Sequence, residues 1–333
     1  MIKKVDFYGI PAVAFAAGGY EALMIPSVGA NVVRLKHLAS GIEILRTPAA
    51  DEIENFKERP QIYGLPLLFP PNRIADGTYT FDGRKYQYPI TIPAQNNYHH
   101  GIIKSQPFSV CRTCEGDGYA EVEAVYYCNA FNDAIYANFP HEFVCRMIFR
   151  LDEKGLSQTT VFENRSDKAM TVGMGFHTPL RVPFTPDGKP ENYRLRLSAG
   201  KRMEMNERTL PTEKLFDLGA AEAPLRKEGI LPCGEAVECA LVNEPLNIGD
   251  RTYNGAILTD TATGWSACYE VDSQFKFWTL WNNGGNVPYA CPEPQTWATN
   301  APNLSDPKAY GFQSVAPGKE FRASMHLYVC DKI

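Results

Sequence analysis

The chain holds six histidines and one glutamate with an unusual backbone setting, and these are the first places to look for chemistry. Glu293 stands between two prolines in Cys291-Pro292-Glu293-Pro294-Gln295-Thr296. Each proline fixes its own φ and biases the residue before it toward an extended conformation. A carboxylate carried on such a backbone points in a narrow range of directions, as a general base must; a rigid connection between elements gives the same pattern. His177 lies in Gly173-Met174-Gly175-Phe176-His177-Thr178-Pro179, among small or apolar neighbours. A core histidine with one satisfied hydrogen bond is the plainer reading, and proton transfer is the other. Asn97-Tyr98-His99-His100-Gly101 follows Pro93-Ala94-Gln95-Asn96 and reads as a polar loop, where such residues serve function more often than in a strand. A surface histidine is the plainer reading there. Arg73, in Pro70-Pro71-Asn72-Arg73-Ile74, offers a fork of donors to hydroxyls, to a phosphate, or to a structural ion pair. Asp250, in Gly249-Asp250-Arg251-Thr252-Tyr253, is explained by turn formation alone. The close pair Cys111 and Cys114 has no second pair at metal-ligand spacing and no helical pattern behind it, so it reads as structural.

These residues must be positioned by strands. Alternation with period two recurs along the chain, as half-buried antiparallel strands require. Phe143, Cys145, Met147, Phe149 and Leu151 share one face of a run, with Val144, Arg146, Ile148 and Arg150 on the other. Gln274 to Trp281 and Ser324 to Val329 read the same way. Thr78-Tyr79-Thr80-Phe81, then Asp82-Gly83, then Arg84 to Tyr88 is a hairpin, because Asp-Gly accepts the positive φ angles of a two-residue turn. Asp152 to Gly155 and Asn164 to Asp167 punctuate later strands. One short helix is expected over Asp51 to Lys57, with Thr47 as its N-cap and Pro48 at its first position. Many short strands, 26 glycines, 25 prolines and no βαβ alternation predict an all-β sandwich or barrel. Without a linker or an internal repeat, residues 1–333 read as a single domain.

A formal net charge of −5 and the lack of a Lys/Arg cluster give no footprint for nucleic acid or an anionic membrane, and favour a neutral substrate. No apolar run reaches the roughly 18 residues of a membrane span, and Asp6, Gly9 and Pro11 interrupt any leader-like stretch. Nine scattered cysteines, an odd number, suit free thiols and a cytoplasmic location better than a disulfide framework.

Taken in order, the stretches resemble the aldose 1-epimerase (galactose mutarotase) family along nearly the whole chain. Gly64 to Ile74 looks like the segment entering that family's first substrate-contacting arginine. Asn97-Tyr98-His99-His100-Gly101 resembles its Asn-x-Leu-His-Gly motif, with His100 the matching histidine and His99 where leucine is usual. Gly155-Leu156, Asn164 to Asp167 and Gly173 to Phe184 resemble its strand, turn and second histidine, His177; Glu293-Pro294-Gln295-Thr296 with Ala301-Pro302-Asn303 resembles the segment of its essential glutamate. Departures fall at Ile102, where a second glycine is usual, and at Thr178-Pro179-Leu180, where Tyr-Phe is common.

The resemblance implies a large antiparallel β-sandwich of the galactose mutarotase-like type with a sugar cleft on one sheet. It implies Glu293 as base, His177 as acid, and His100, Arg73, Asn72 and Asp250 as groups at the sugar. The implied reaction interconverts the α and β anomers of a free aldohexose with no cofactor or metal, and the implied partner is a small-molecule sugar. Three alternatives remain open from the residues alone: a hexose-6-phosphate 1-epimerase, suggested by Arg73 and Arg181; a non-catalytic carbohydrate-binding protein; and a glycosidase pairing Asp250 with Glu293.

Overall fold

The computed structural model describes residues 1–131 and 134–331. The alternation read from the sequence becomes strands. In Phe143–Asp152, Phe143, Cys145, Met147, Phe149 and Leu151 are buried, while Arg146, Ile148 and Arg150 are partly exposed. Asp82 and Gly83 take φ of 49° and 72° and join Thr78–Phe81 to Arg84–Gln87 in register.

Three antiparallel sheets make the body. The first holds Ile2–Phe7, Ile10–Ala17, Tyr20–Ile25, Asn31–His37 and Ile42–Glu43 in chain order. The second runs from Ser109–Gly116 through consecutive hairpins to Gly155–Asn164, then continues with the C-terminal strand Glu320–Cys330 and ends on Tyr193–Leu197. The third runs from an edge hairpin, Pro211–Asp217 and Ala199–Met205, through Glu238–Asn243, Phe277–Trp281 and Tyr289–Gln295 to Gly175–Phe176 and Leu67–Leu68. The architecture is all-β and antiparallel, as expected.

One hydrophobic cluster draws on all three sheets: Met24 and Leu35 from the first, Phe149 and Leu327 from the second, Trp278 and Leu280 from the third. Trp278 meets Tyr269 of the second sheet edge-on, with ring centroids 6.3 Å apart. Because strand side chains alternate, burying Trp278 and Leu280 inward turns Thr279 and Trp281 to the opposite face, where the cavity described below lies.

Two local expectations need correction. The helix is Ile53–Glu58, preceded by a 3-10 turn at Ala50–Glu52. Thr47 does not cap it, because its hydroxyl donates to the Val33 carbonyl at 2.8 Å; the Glu52 carboxylate instead accepts from the Ala49 N–H at 3.0 Å. The run from Gln274 becomes strand only at Phe277, since the Asp272 carboxylate accepts from the Gln274 N–H and closes a turn first. Among the described residues no helix is long and apolar enough to cross a membrane.

All nine cysteines carry thiols, and Cys111 is the exposed one. Cys128, Cys145, Cys239, Cys268 and Cys291 are buried. A thiol reagent such as Ellman's should therefore label Cys111 first in the native protein and reach the five buried thiols only after denaturant is added. A denatured chain lacking nine titratable thiols would contradict this arrangement.

Candidate active site

Glu293 lies within the strand Tyr289–Gln295, and its two prolines explain how that strand is built. Along one edge it pairs with Phe277–Trp281, with Thr279 opposite Glu293. Along the other, Leu180 and Arg181 pair with Ala290 and Tyr289, and Gly175 pairs with Gln295. Among the described residues no registered partner faces Cys291 to Pro294 on that edge. Proline has no N–H to give a ladder and is excluded from strand interiors unless one edge makes no demand. Since backbone donors alternate sides, Pro292 and Pro294 turn their missing N–H groups to the same open edge.

The opening is filled by chemistry. Between its two pairings the opposing chain leaves the ladder at residues 177–179 and places His177 beside Glu293. The His177 N–H donates to the Pro66 carbonyl at 3.3 Å, and the Thr178 hydroxyl donates to that of Tyr269 at 3.1 Å, which ties this excursion to the second sheet. His177 Nε2 lies 3.3 Å from Glu293 Oε1, with the two side chains only 4% and 2% exposed. The Trp281 ring stands 5.4 Å from the imidazole.

His100 arrives from another direction. Arg73–Ala75 and Asn97–His99 pair with Arg73 opposite His99. One step further, Asn72 and His100 take φ of 54° and 60°, and the His100 N–H donates to the Asn72 carbonyl at 3.0 Å. This left-handed backbone, uncommon for side-chain-bearing residues, accompanies the entry of both side chains into the cavity. Gly101 follows at φ 75°, where a Cβ would sit 2.9 Å from the Phe69 backbone nitrogen, so only glycine fits. The His100 ring meets that of His177 edge-on at 5.1 Å and lies against His99, with centroids 3.3 Å apart.

A polar chain fixes the remaining groups. Asn72 Nδ2 and Gln295 Nε2 both donate to the Thr279 hydroxyl oxygen, at 2.9 and 3.1 Å. Arg73 donates to Asn72 Oδ1 and Gln95 Oε1, each at 3.3 Å, and faces Glu238 Oε1 at 3.8 Å. These groups surround a cavity of about 230 Å³, with Trp281, Glu238 and Arg59 completing its wall.

Electrostatics here follow from dryness. Burial pushes the Glu293 carboxyl well above its ordinary value, with the charge of Arg73 opposing. Burial pushes the His177 imidazole down to about 3, and His100 well below its usual range, helped by neighbouring imidazoles. Both members of the His177–Glu293 pair are thus driven toward their neutral forms, which leaves the pair's titratable proton on the carboxyl. His177 Nδ1, His100 Nδ1 and Glu293 Oε2 are buried without a hydrogen-bond partner in the protein. The three residues bring donor atoms within 4.8 Å of one another, a set of two imidazoles and a carboxylate that a zinc-like ion also accepts.

Of the residues singled out from the sequence, the fold brings together Asn72, Arg73, His100, His177 and Glu293. Asp250 is not among them. It is exposed in the turn between Leu246–Ile248 and Arg251–Tyr253, after Gly249 at φ 56°, and does not line the cavity. Arg181 is exposed as well and pairs with Glu43 at 3.2 Å. Sequence reasoning missed Glu238 and Trp281, which are registered partners on neighbouring strands of the third sheet. Nothing distinguishes Glu238 in the sequence from a solvated glutamate at a strand start. Trp281 shares its phase with Phe275, Phe277 and Thr279, so nothing in the sequence set it apart from a core aromatic.

Comparison with known proteins gives the family and the fold. Residues 11–328 match the model of the aldose 1-epimerase family. A galactose mutarotase-like protein from Clostridium acetobutylicum superposes with a TM-score of 0.96 at 36% identity, over 99% of this chain and 98% of that one. Galactose 1-epimerase from Lactobacillus acidophilus NCFM shares the fold, with a TM-score of 0.72 at 14% identity over 100% and 99% of the two chains. The uncharacterized protein YihR of Escherichia coli K12 is 26% identical over 203 residues, 60% of this chain and 59% of that protein. The chain belongs to the aldose 1-epimerase family.

Proposed function

We propose that the protein interconverts the α and β anomers of a free aldohexose by opening and reclosing its ring. The observation that carries this reading is the buried pair at 3.3 Å, His177 with Glu293, each keeping an unpartnered polar atom beside a small polar cavity. Moving the shared proton across that contact gives a carboxylate and an imidazolium. The carboxylate of Glu293 takes the proton from the C1 hydroxyl while His177 delivers its proton to the ring oxygen. The C1–ring-oxygen bond breaks, its electron pair goes to the ring oxygen, and C1 becomes an aldehyde. Rotation about C1–C2 presents the other face, and closure runs the transfers backwards: Glu293 returns its proton to the carbonyl oxygen and His177 takes one from the attacking hydroxyl. Two groups straddling one hemiacetal suffice, and the dry setting keeps one proton on the pair.

Arg73, Asn72 and His100 are oriented to hold the remaining hydroxyls. The phosphate reading loses Arg181, which lies outside the cavity, and Arg73 already faces Glu238. A glycosidase pairing Asp250 with Glu293 loses its first carboxylate for the same reason. A protein that only binds sugar has no use for an orphaned acid and base buried together, since each such polar atom costs about 1–3 kcal/mol of stability.

Polarimetry of freshly dissolved α-glucose and α-galactose should show mutarotation well above the buffer rate. Glu293→Gln and His177→Asn should each lower kcat/KM by about 10²–10⁴, and the double variant should lose little more than the worse single one, because the pair acts as a unit. In the same assay Glu238→Ala should raise KM, while Asp250→Ala should leave the rate within about twofold of the parent, as surface changes do. A parent rate equal to buffer for several free sugars would refute the reading.

The pH profile follows from the direction of the shifts. Because burial lowers His177, the pair takes its second proton only on approach to about 3. Enzyme-catalysed kcat/KM should therefore stay flat through pH ~6.5, where an ordinary histidine titrates. Because burial raises Glu293, loss of the shared proton should appear as an alkaline limb. An acid limb centred near pH ~6.5 would contradict the pairing.

A further inference from the structure

The donor atoms gathered at the catalytic pair have a use beyond proton transfer. His177 Nε2 and Glu293 Oε1 stand 3.3 Å apart. Two ligand atoms on a tetrahedral ion with bonds of about 2.0–2.1 Å are separated by about 3.3–3.4 Å, so this contact already has the spacing of one tetrahedral edge. His100 completes a set whose donor atoms all lie within 4.8 Å of one another. Closing the third ligand onto the same ion takes a movement of at most about 1.5 Å. Among the described residues no hydrogen bond holds the His100 ring against such a shift; its ring contacts are with His99 and His177.

The chemistry of the set selects the ion. Two imidazole nitrogens and one carboxylate oxygen are the donors of open, three-ligand zinc sites, whereas magnesium and calcium require six or more oxygen atoms. Glu293 Oε2 is a buried acceptor without a partner, on a residue 2% exposed, and gives the carboxylate a second oxygen for the same ion. Arg73, the nearest cation, is offset by Glu238 at 3.8 Å, and Arg59, also on the cavity wall, is exposed. The cavity leaves a fourth position to solvent. What the set lacks is outer support. With Nε2 on an ion, Nδ1 of both histidines has no carbonyl or carboxylate to hold it, and outer partners of that kind are worth about 10–100-fold in affinity. The site therefore suits an ion that comes and goes, not a resident one.

We infer that His100, His177 and Glu293 reversibly bind a zinc ion, and that the bound ion switches the catalytic pair off. An ion on His177 Nε2 and the Glu293 carboxylate occupies the lone pairs that the proposed ring opening uses to take protons, and it stands where C1 must sit. The inhibition rests on the epimerase reading; the binding does not. Isothermal titration of the chelator-treated parent with zinc should give one equivalent whose affinity falls about tenfold or more in Glu293→Gln, and likewise in His100→Asn, since loss of an outer partner alone costs that much. Cobalt in place of zinc should show the visible bands of a four-coordinate ion without a thiolate band in the near ultraviolet. In polarimetry, zinc should raise the apparent KM for the sugar and leave kcat unchanged, EDTA should reverse the effect, and magnesium or calcium at the same concentration should have none. A parent that binds no zinc, an affinity that both variants retain, or a thiolate-to-cobalt band would overturn the site. Zinc bound there with mutarotation undiminished would overturn the switch. Zinc binding lost in both variants, with no catalysed mutarotation in the metal-free parent, would overturn the epimerase reading and leave the metal site standing.

Discussion

A strand carrying Pro-Glu-Pro cannot be hydrogen-bonded along both edges, and the site depends on that constraint. Pro292 and Pro294 leave one edge of Tyr289–Gln295 open over a few residues, while the pairings at Ala290 and Gln295 hold the gap to a fixed width. The chain that bridges the gap has nowhere to put residues 177–179 except out of the ladder, and so His177 comes to rest against Glu293. His177 and Glu293 are thus set at 3.3 Å by backbone bonding around them. Side-chain hydrogen bonds then orient the groups further from the pair.

Burial turns this geometry into chemistry. In water a glutamate and a histidine would share a single titratable proton only between about pH 4.3 and about 6.5. Here desolvation disfavours each charged form, raising Glu293 and lowering His177, which widens the range over which the pair keeps a single titratable proton. The surrounding groups are placed with similar economy. Asn72 and His100 enter from a left-handed turn, while Thr279, Trp281 and Glu238 come from the outward phase of strands whose inward phase, Trp278 and Leu280 among others, fills the core. Core packing and site construction use alternate residues of the same strands.

Much of this was legible in the sequence. Period-two alternation through Cys145, Met147 and Phe149 marked a strand of the second sheet, and Asp82-Gly83 marked a hairpin. Glu293 drew notice through its prolines, but whether they signalled a rigid connection or a half-paired strand depends on partners more than a hundred residues away. His177 alone read more plainly as a core histidine; it stands out only once Glu293 lies beside it. Asp250 shows the converse, a carboxylate in a family-like pattern that the fold leaves exposed on a hairpin turn. Glu238 was invisible because cross-strand register, which sets it beside Trp281 and within 3.8 Å of Arg73, is a property of pairing and not of local spacing.

The central claim is that burial keeps the His177–Glu293 pair in a one-proton state with an imidazole that does not titrate where free histidine does. Nitrogen-15 NMR of the His177 ring, assigned by comparison with His177→Asn and followed from acid to alkaline pH, measures this directly. The account predicts a neutral imidazole signal that holds its position through pH ~6.5. A His177 signal that moves to the imidazolium position with a midpoint near that value would contradict it.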